Sequence, residues 1–472
     1  MNHGIYIRET PTSVISAKTS GTITVAVGIA PVNLAEAADR KVNEPVLCFS
    51  EGEVHKYLGK SKYIENYGLS EVSDVFFKLY NVAPVVFINV LDPAVHKASV
   101  TAEAVTVAAG KGILSKLGVM METVVVKSDD GSTTYVEGTD YVVAFDEDEK
   151  AVLSLLDGGA IGGAFKADYD HIDPTLVDKD DIIGGEDAQG IRTGLEIIND
   201  VYSKLRVVPR QLLHPGWNET DVVAIGNAKM QSILGTCKGM QWVDGDCTTV
   251  GVYTGVPNWK QTSNIKGINQ ILVWPMVKLG DDKYHLSTHG AALKAVVDST
   301  NDDVPSESPS NKSLVVDGVI LADGTEVSLD QARANYLNEN GIVTVSDLKL
   351  WGNYTAARTE TTDVKDTFIP VRDMFNWAGI STVLTFANKI DKPGNRNLIE
   401  SIVDSKNIWF NGLTADGHIY GGRMEFRAED NVLTDLLDGK FTYKTYMSPV
   451  IPHQEMVEDM EYDPSYLETL FG

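Results

Sequence analysis

Cysteine is scarce, with only Cys48, Cys237 and Cys247 in a chain of 472 residues. So small and odd a number excludes a disulfide framework and agrees with a reducing compartment. Long apolar runs are missing too. Stretches such as Val82 to Val90 fall far short of the roughly 18–20 residues of a membrane span and are broken by Pro84 and Asn89, so no membrane partner is expected. Positive charge is outnumbered: 40 Lys and Arg face 66 Asp and Glu, and the formal charge of −26 repels phosphate backbones and anionic lipid. Nucleic acid is therefore not an expected partner. The opening Met1-Asn2-His3-Gly4 lacks the basic head and apolar core of a signal peptide, which leads us to expect synthesis and folding in the cytoplasm. The 17 prolines and 41 glycines form no single-residue runs, which excludes a collagenous or low-complexity chain.

What is present is material for real cores. With 43% apolar residues, and at roughly 150 residues per domain, about three compact units are expected. Extended segments are expected at Ile5-Tyr6-Ile7, Thr22 to Ala30 and Val85 to Val90, the last an unbroken apolar strand of the doubly covered kind. Between the last two, Val72, Val75, Phe76, Leu79 and Tyr80 make one helical stripe behind the potential cap Ser70. From about residue 98 short strands at Thr123 to Val126, Thr133 to Glu137, Asp140 to Phe145 and Ala151 to Leu155 suggest a small antiparallel meander. Residues 129–187 hold 17 acidic and 3 basic side chains. With a Debye length of about 8 Å, charge of that density belongs on an outer surface.

Near residue 185 helix and strand begin to alternate. The helical signals are Ile191 with Leu195, Ile198, Tyr202 and Leu205, then Val222 to Leu234, then Thr288 to Val297. Strand signals are Val207-Val208, Met240 to Val243 and Ile268 to Trp274. Such alternation implies a largely parallel sheet with helices on its faces. The polar stretch 301–313 reads as an exposed loop between units. Beyond it come a helix through Phe368, Met374 and Val383 to Phe386, another from about Asn397 to Trp409, and strands at Gly421 to Phe426 and Phe441 to Val450.

Candidate chemistry is thin. His285 and His289 have a metal-ligand spacing, but the glutamate of a zinc-protease helix is missing and no third ligand is indicated. Cys237 and Cys247 lack a Cys-x-x-Cys partner, so buried thiols are the expected reading. The glycine-rich run Gly158 to Gly163 has no Lys-Ser/Thr of a phosphate loop and reads as a turn. Asp146 to Glu149 lacks the alternating ligands and central glycine of a calcium loop. A serine hydrolase would draw on Asp221, His289 and Ser232 or Ser287, yet no serine sits in a Gly-x-Ser-x-Gly elbow. The expectation is no enzyme, no metal and no cofactor. The chain ends are more informative: Gly4 to Glu9 and Tyr443 to Pro449 are short extended segments, which either pair within their own chain or add as strands to a neighbour.

The C-terminal third carries a family pattern. Phe368-Ile-Pro-Val-Arg-Asp-Met-Phe-Asn-Trp377, Asn395-Arg-Asn-Leu-Ile-Glu-Ser-Ile-Val-Asp404, Ile408-Trp-Phe-Asn-Gly-Leu413, Gly421-Gly-Arg-Met-Glu-Phe426 and Glu461-Tyr-Asp-Pro-Ser-Tyr-Leu-Glu-Thr-Leu-Phe471 resemble the contractile tail sheath proteins of bacteriophages and phage-like injection particles. The likeness is strongest over 365–472 and weaker through 180–300. It implies a multidomain α/β and α+β chain, a mixed α/β core with an inserted antiparallel β-rich outer domain and extended terminal arms. On that pattern 1–20 is an arm, 21–97 the first part of the core, 98–180 the insert, 181–360 the α/β unit and 361–472 the C-terminal unit. The family's middle region is often labelled subtilisin-like, but no triad carries over to these residues.

The resemblance further implies a helical homo-oligomer around an inner tail tube, contacts with baseplate and tail terminator proteins, and a place in a virion tail or phage-like particle. Contraction would drive the tube through a bacterial envelope. The inter-subunit arms would include Ile5, Tyr6 and Ile7 at one end and Tyr443, Thr445, Tyr446 and Met447 at the other. The tube-facing element would lie near the helix beginning at Asn395. Residues 360–427 carry 8 basic and 9 acidic groups, so this region can approach a partner without strong repulsion, and Lys389, Lys392 and Arg396 are the candidate contacts with an acidic tube. The alternatives are a serine hydrolase on the α/β unit and a non-contractile shell protein.

Overall fold

The computed structural model describes residues 21–161 and 163–471. The expected arm strand at Ile5, Tyr6 and Ile7 lies outside the described residues. From the start of the described chain, β1 (Thr24–Gly28) and β2 (Pro45–Cys48) are followed by α1 (Glu51–Leu58) and α2 (Gly68–Ser73) and then by β3 (Val85–Asn89). Ser50 caps α1 by accepting the Glu53 N–H, and Gly59 ends it at φ 70°, where a Cβ would stand only 2.0 Å from the Pro31 carbonyl. The stripe from Val72 to Tyr80 belongs to α2 and a π-helical turn, Asp74–Leu79, that continues it and buries Val75 and Phe76.

The next six strands are β4 (Lys97–Val105), β5 (Lys111–Ile113), β6 (Val125–Ser128), β7 (Tyr141–Phe145), β8 (Ala151–Leu155) and β9 (Phe165–Ile172). They form two three-stranded antiparallel sheets, β4-β9-β6 and β5-β8-β7. This corrects the expected meander. Thr133 to Glu137 is not a strand and holds only isolated bridges at Thr134 and Glu137. The reason is burial: two sheets sharing one small core enclose Val126, Leu153, Phe165, Ala167 and Tyr169 together, whereas a single meander leaves one face of each strand wet. The acidic turn at 146–149 bonds back to the preceding unit, since Glu149 accepts from Ser61 Oγ (2.7 Å) and the Lys62 N–H (2.6 Å).

The chain continues through α3 (Lys179–Ile183), α4 (Val201–Leu205), β10 (Gln211–Leu213), α5 (Thr220–Gln231), β11 (Met240–Asp244), α6 (Val256–Thr262) and β12 (Gln270–Val273). Then come β13 (Met276–Leu279), β14 (Asp282–Tyr284), α7 (Leu286–Thr300), β15 (Lys312–Ser313), β16 (Gly318–Ile320), α8 (Gln331–Glu339), β17 (Ile342–Ser346) and β18 (Lys349–Trp351). The large sheet has the order β15-β18-β17-β12-β11-β10-β1-β3-β2, with β13, β14 and β16 in a small sheet of their own. Its pairings run parallel from β17 to β3, and antiparallel strands close both edges. The molecule is therefore a mixed α/β protein with one large mixed sheet and several small antiparallel ones. Val207 and Val208 precede a strand that begins only at Gln211, and Ile191 is exposed because the turn Gly194–Asp200 starts the helical stretch after it.

The last unit holds α9 (Ile369–Phe386), α10 (Arg396–Ala415), β19 (Ile419–Glu425), α11 (Leu433–Leu437) and β20 (Lys444–Pro449). Residues 450–463 have no regular structure, and a 3-10 segment, Pro464–Phe471, comes after them. The polar stretch 301–313 is not the exposed linker expected from its composition. Val304 packs with Trp377 and Phe410, and buried Ser306 shares a hydrogen bond of 2.9 Å with His418 Nδ1. The side chains of Asn301, Ser306 and Ser308 are bonded within the fold, so polarity was no guide to exposure at these positions. Among the described residues no helix is long and apolar enough to cross a membrane.

Candidate assembly surfaces

The C-terminal unit is seated on the large sheet through α9. Asp373 on α9 accepts from Arg210 (2.8 Å), which stands just before β10 and also approaches Asp298 of α7 at 3.5 Å. Lys294, one helical turn before Asp298, pairs with that residue and with Asp373 (3.4 Å). Two cations and two anions thus share a site from which solvent is excluded. Burial pushes the Asp298 carboxyl upward, and the Lys294 and Arg210 charges pull against that rise. Thr22 is tied in as well: it donates to Asp298 at 2.5 Å and accepts from Arg210 at 2.7 Å. The root of the N-terminal segment is therefore fixed where sheet, α7 and α9 meet.

From this base α9 and α10 form a helical hairpin. Trp377, Phe410 and Leu413 are buried between them, and Asn395 caps α10 by accepting the Leu398 N–H (3.0 Å). Lys406 of α10 is buried and pairs with no carboxylate among the described residues; it donates to Thr382 Oγ1 (2.9 Å) and lies 3.7 Å above the Trp409 ring. Burial brings its pKa down to about 7. Sequence reasoning missed Lys406, and its signal is a lysine on the apolar stripe of an amphipathic helix.

Lys389, Lys392 and Arg396 fall together at the turn between the two helices. Arg396 is 89% exposed in its side chain and pairs with Glu400 at 2.6 Å, which raises its pKa. Ile390 beside them is exposed as well.

The segment Tyr443, Thr445, Tyr446 and Met447, read from sequence as a donated arm, is engaged in its own chain. β20 pairs antiparallel with β19, Gly422 opposite Met447 and Met424 opposite Thr445. The physical reason is local: the loop between the strands is pinned by Asn431, whose side chain bonds both the N–H and the C=O of Thr442 at 2.8 Å. One face of this two-stranded sheet packs inward with Met424 and Met447, and the other carries Arg423 over the Tyr446 ring. The free part of the chain end lies beyond β20. Met456, Val457, Met460 and Tyr462 are each at least 74% exposed, and Tyr466 and Leu470 further along are exposed as well. Apolar surface of that extent on an extended segment marks an interaction surface.

The residues considered for catalysis are not brought together. Asp221 pairs with Lys179 (2.5 Å), Ser287 donates to Asp244 (2.6 Å), Ser232 ends α5, and His289 shares a hydrogen bond with Tyr80 (3.2 Å). Burial takes the His289 pKa down to about 3, so it is a neutral core ring. His285 binds Glu71 instead, at 2.7 Å. Burial acts to lower its pKa, but the Glu71 carboxylate outweighs that and raises it to about 9. Cys48 and Cys237 are buried free thiols and Cys247 is partly buried. Among the described residues no group of three or more His, Cys, Asp or Glu is placed to hold a metal ion.

Comparison with known proteins bears on these surfaces. A family described only as proteins of unknown function matches residues 77–177. The tail sheath protein of Burkholderia phage BcepMu is 30% identical over 98% of this chain and 96% of its own length. That of Escherichia phage P2 is 25% identical over 61% of this chain and 72% of its own. Among solved structures, the sheath of the PVC extracellular contractile injection system in its contracted state superposes with a TM-score of 0.57 at 13% identity, covering 99% of both chains. The contracted helical sheath of the anti-feeding prophage gives 0.55 at 14% identity, covering 98% of this chain and 99% of the other. These structural likenesses concern the fold.

Proposed function

Because the chain belongs to the tail sheath protein family, we propose that it is the contractile sheath subunit of a phage tail or phage-like injection particle, stacking in helical rows around an inner tube. It is a structural protein and not an enzyme. The observation that carries this reading is the chain end: an extended, apolar, exposed segment set beyond a two-stranded sheet that nothing else in the described chain extends. A contact from one copy's end to the next copy's body is heterologous, and repeated without closure it generates a helix.

Strand donation is modest per contact. About six backbone hydrogen bonds at a net 0.5–1.5 kcal/mol each give roughly 3–9 kcal/mol per arm. Tethered to docked domains, donated and accepted arms act at high effective concentration and keep neighbours connected while the domains slide. Contraction then requires two packings of the same subunits, with the extended one held kinetically. Stored lattice strain drives the tube through the envelope, and no nucleotide site is needed.

The division into arms, core, β-rich outer insert and C-terminal unit is part of the proposal. The insert is supported as an outer element by its acidity and by its own core, which is separate from those of the large sheet. The tube-facing assignment of Lys389, Lys392 and Arg396 is supported by their grouping on the exposed turn between α9 and α10. The tube, baseplate and tail terminator are the expected partners. Electron microscopy of the purified protein tests the reading: helical tubes are expected unaided, in long and shortened forms, and deletion of 453–472 or 1–16 is expected to abolish them. Tubes of one fixed length under every condition would instead indicate a non-contractile shell. For the tube contact, charge reversal at Lys392 and Arg396 should weaken polymerisation on tubes, and normal polymerisation would refute it.

A further inference from the structure

Helix α7 places Lys294 and Asp298 four residues apart, so both side chains rise from one face and the Lys294 amine meets Oδ1 of the Asp298 carboxyl. The other oxygen of that carboxyl, Oδ2, takes the Thr22 hydroxyl at 2.5 Å and faces the Arg210 guanidinium at 3.5 Å. Asp373 reaches in from α9 and sets its Oδ2 3.4 Å from the same amine. None of Arg210, Lys294, Asp298 and Asp373 is more than 3% exposed. The set is not a finished ion cage. Oδ1 of Asp373 and Nε of Arg210 are buried with no hydrogen-bond partner among the described residues, a costly state for charged groups out of water.

These are the parts of an amide-forming site. An amine in contact with one carboxyl oxygen is a single bond away from the carboxyl carbon, the near-attack arrangement of a nucleophilic lysine. Burial pushes the Asp298 carboxyl toward its protonated form, which is the electrophilic one. Thr22 and Arg210 stand where negative charge develops on Oδ2 during attack. The unspent Oδ1 of Asp373 is available to take a proton from the amine. In the balanced step the Lys294 Nζ–Asp298 Cγ bond forms and the Cγ–Oδ1 bond breaks. Of the three ammonium protons one stays on the amide nitrogen and two leave with Oδ1 as water. Nothing is oxidised or reduced and no co-reactant is required. One positive and one negative charge disappear from a site closed to solvent, and Arg210 with Asp373 at 2.8 Å remains as a neutral pair.

We propose that Lys294 and Asp298 condense after folding into a side-chain amide that closes one turn of α7, with Asp373 as the proton carrier. The bond would stiffen the helix on which the C-terminal unit is seated, and it is independent of how copies assemble.

Intact mass spectrometry of the folded full-length protein tests it. The chain should be lighter than its sequence mass by one water. Trypsin should fail to cut after Lys294, leaving residues 284–312 as one peptide that carries the loss. A full sequence mass overturns the proposal, and so does a water loss that maps to any other peptide. Lys294→Arg should restore the full mass. Asp298→Asn should lose ammonia in place of water, and a water loss in that variant overturns the choice of partner. Asp373→Asn keeps the shape but cannot take the proton, so the linked fraction should fall at least tenfold; an unchanged fraction overturns the role of Asp373. The wild-type mass decides the central claim even where a variant fails to fold.

Discussion

The junction beneath α9 and the chain end beyond β20 belong to the same C-terminal unit and are built on opposite terms. At the junction Arg210, Lys294, Asp298 and Asp373 neutralise one another out of reach of solvent, joining sheet and helices within one subunit. Past Pro449 the chain buries almost nothing, and its methionines and tyrosines face solvent. The first region is complete in a single copy. The second finds little cover among the described residues of its own chain, so the interactions that hold the subunit together are separate from those proposed to hold the lattice together. A lattice that changes shape needs such a division, because its ties must flex while its bodies do not.

The comparison breaks most visibly if the chain end is removed. Deleting 453–472 should eliminate sheath polymers in sedimentation while leaving the monomer's melting temperature within about a degree, since surface regions contribute little to fold stability. A large fall in melting temperature would show that the arm belongs to the subunit's own core. Next in size is Asp373→Ala, which leaves Arg210 and Lys294 buried with one fewer carboxylate and should cost about 3–5 kcal/mol in urea unfolding.

Two histidines give smaller, pH-dependent effects of opposite sign. His285 has its folded pKa raised from 6.5 to about 9, so its contribution is complete below pH 6.5 and lost as pH climbs through about 9. Glu71→Gln should flatten that alkaline limb. His289 is depressed from 6.5 to about 3, so it favours the fold above pH 6.5 and loses that contribution as pH falls toward 3. His289→Gln should flatten the acid limb in thermal melts at stepped pH. Smallest is Lys406→Met, expected to raise stability at pH 7 by about 1 kcal/mol because it removes a desolvated amine lacking a carboxylate partner. With Lys406 depressed from 10.5 to about 7, the wild type should lose stability as pH drops across that interval and the variant should not.

The long elements were legible because each carries its own periodicity. Val85 to Asn89 is a run that only a doubly covered strand accommodates, and the stripe of α10 starts at an asparagine cap. Family membership was legible for a related reason: the C-terminal segments that carry the resemblance are the ones that build α9, α10 and β19. Other features were not legible. The insert's two sheets exchange strands across forty residues, since β6 pairs with β9 and no local signal ranks that above a meander. Buried Ser306 looked like a linker residue because its partner, His418, lies 112 positions away.

The arm shows the same limit at finer grain. Alternation marked Tyr443 to Pro449 as extended but could not say which strand it joins, because a strand's pairing is set by what lies beside it in space. What the amino-acid order determined alone was the class of the molecule: an acidic, cysteine-poor α/β chain with unabsorbed extended ends and no catalytic constellation. The folded molecule decided the division of labour within those ends, placing 443–447 in the body and leaving the segment after Pro449 outside it. Backbone hydrogen bonds are indifferent to sequence. Asn407 of α10, which accepts the Met424 N–H and donates to its C=O across 17 positions of chain, is such a pairing that the composition of the strand did not announce.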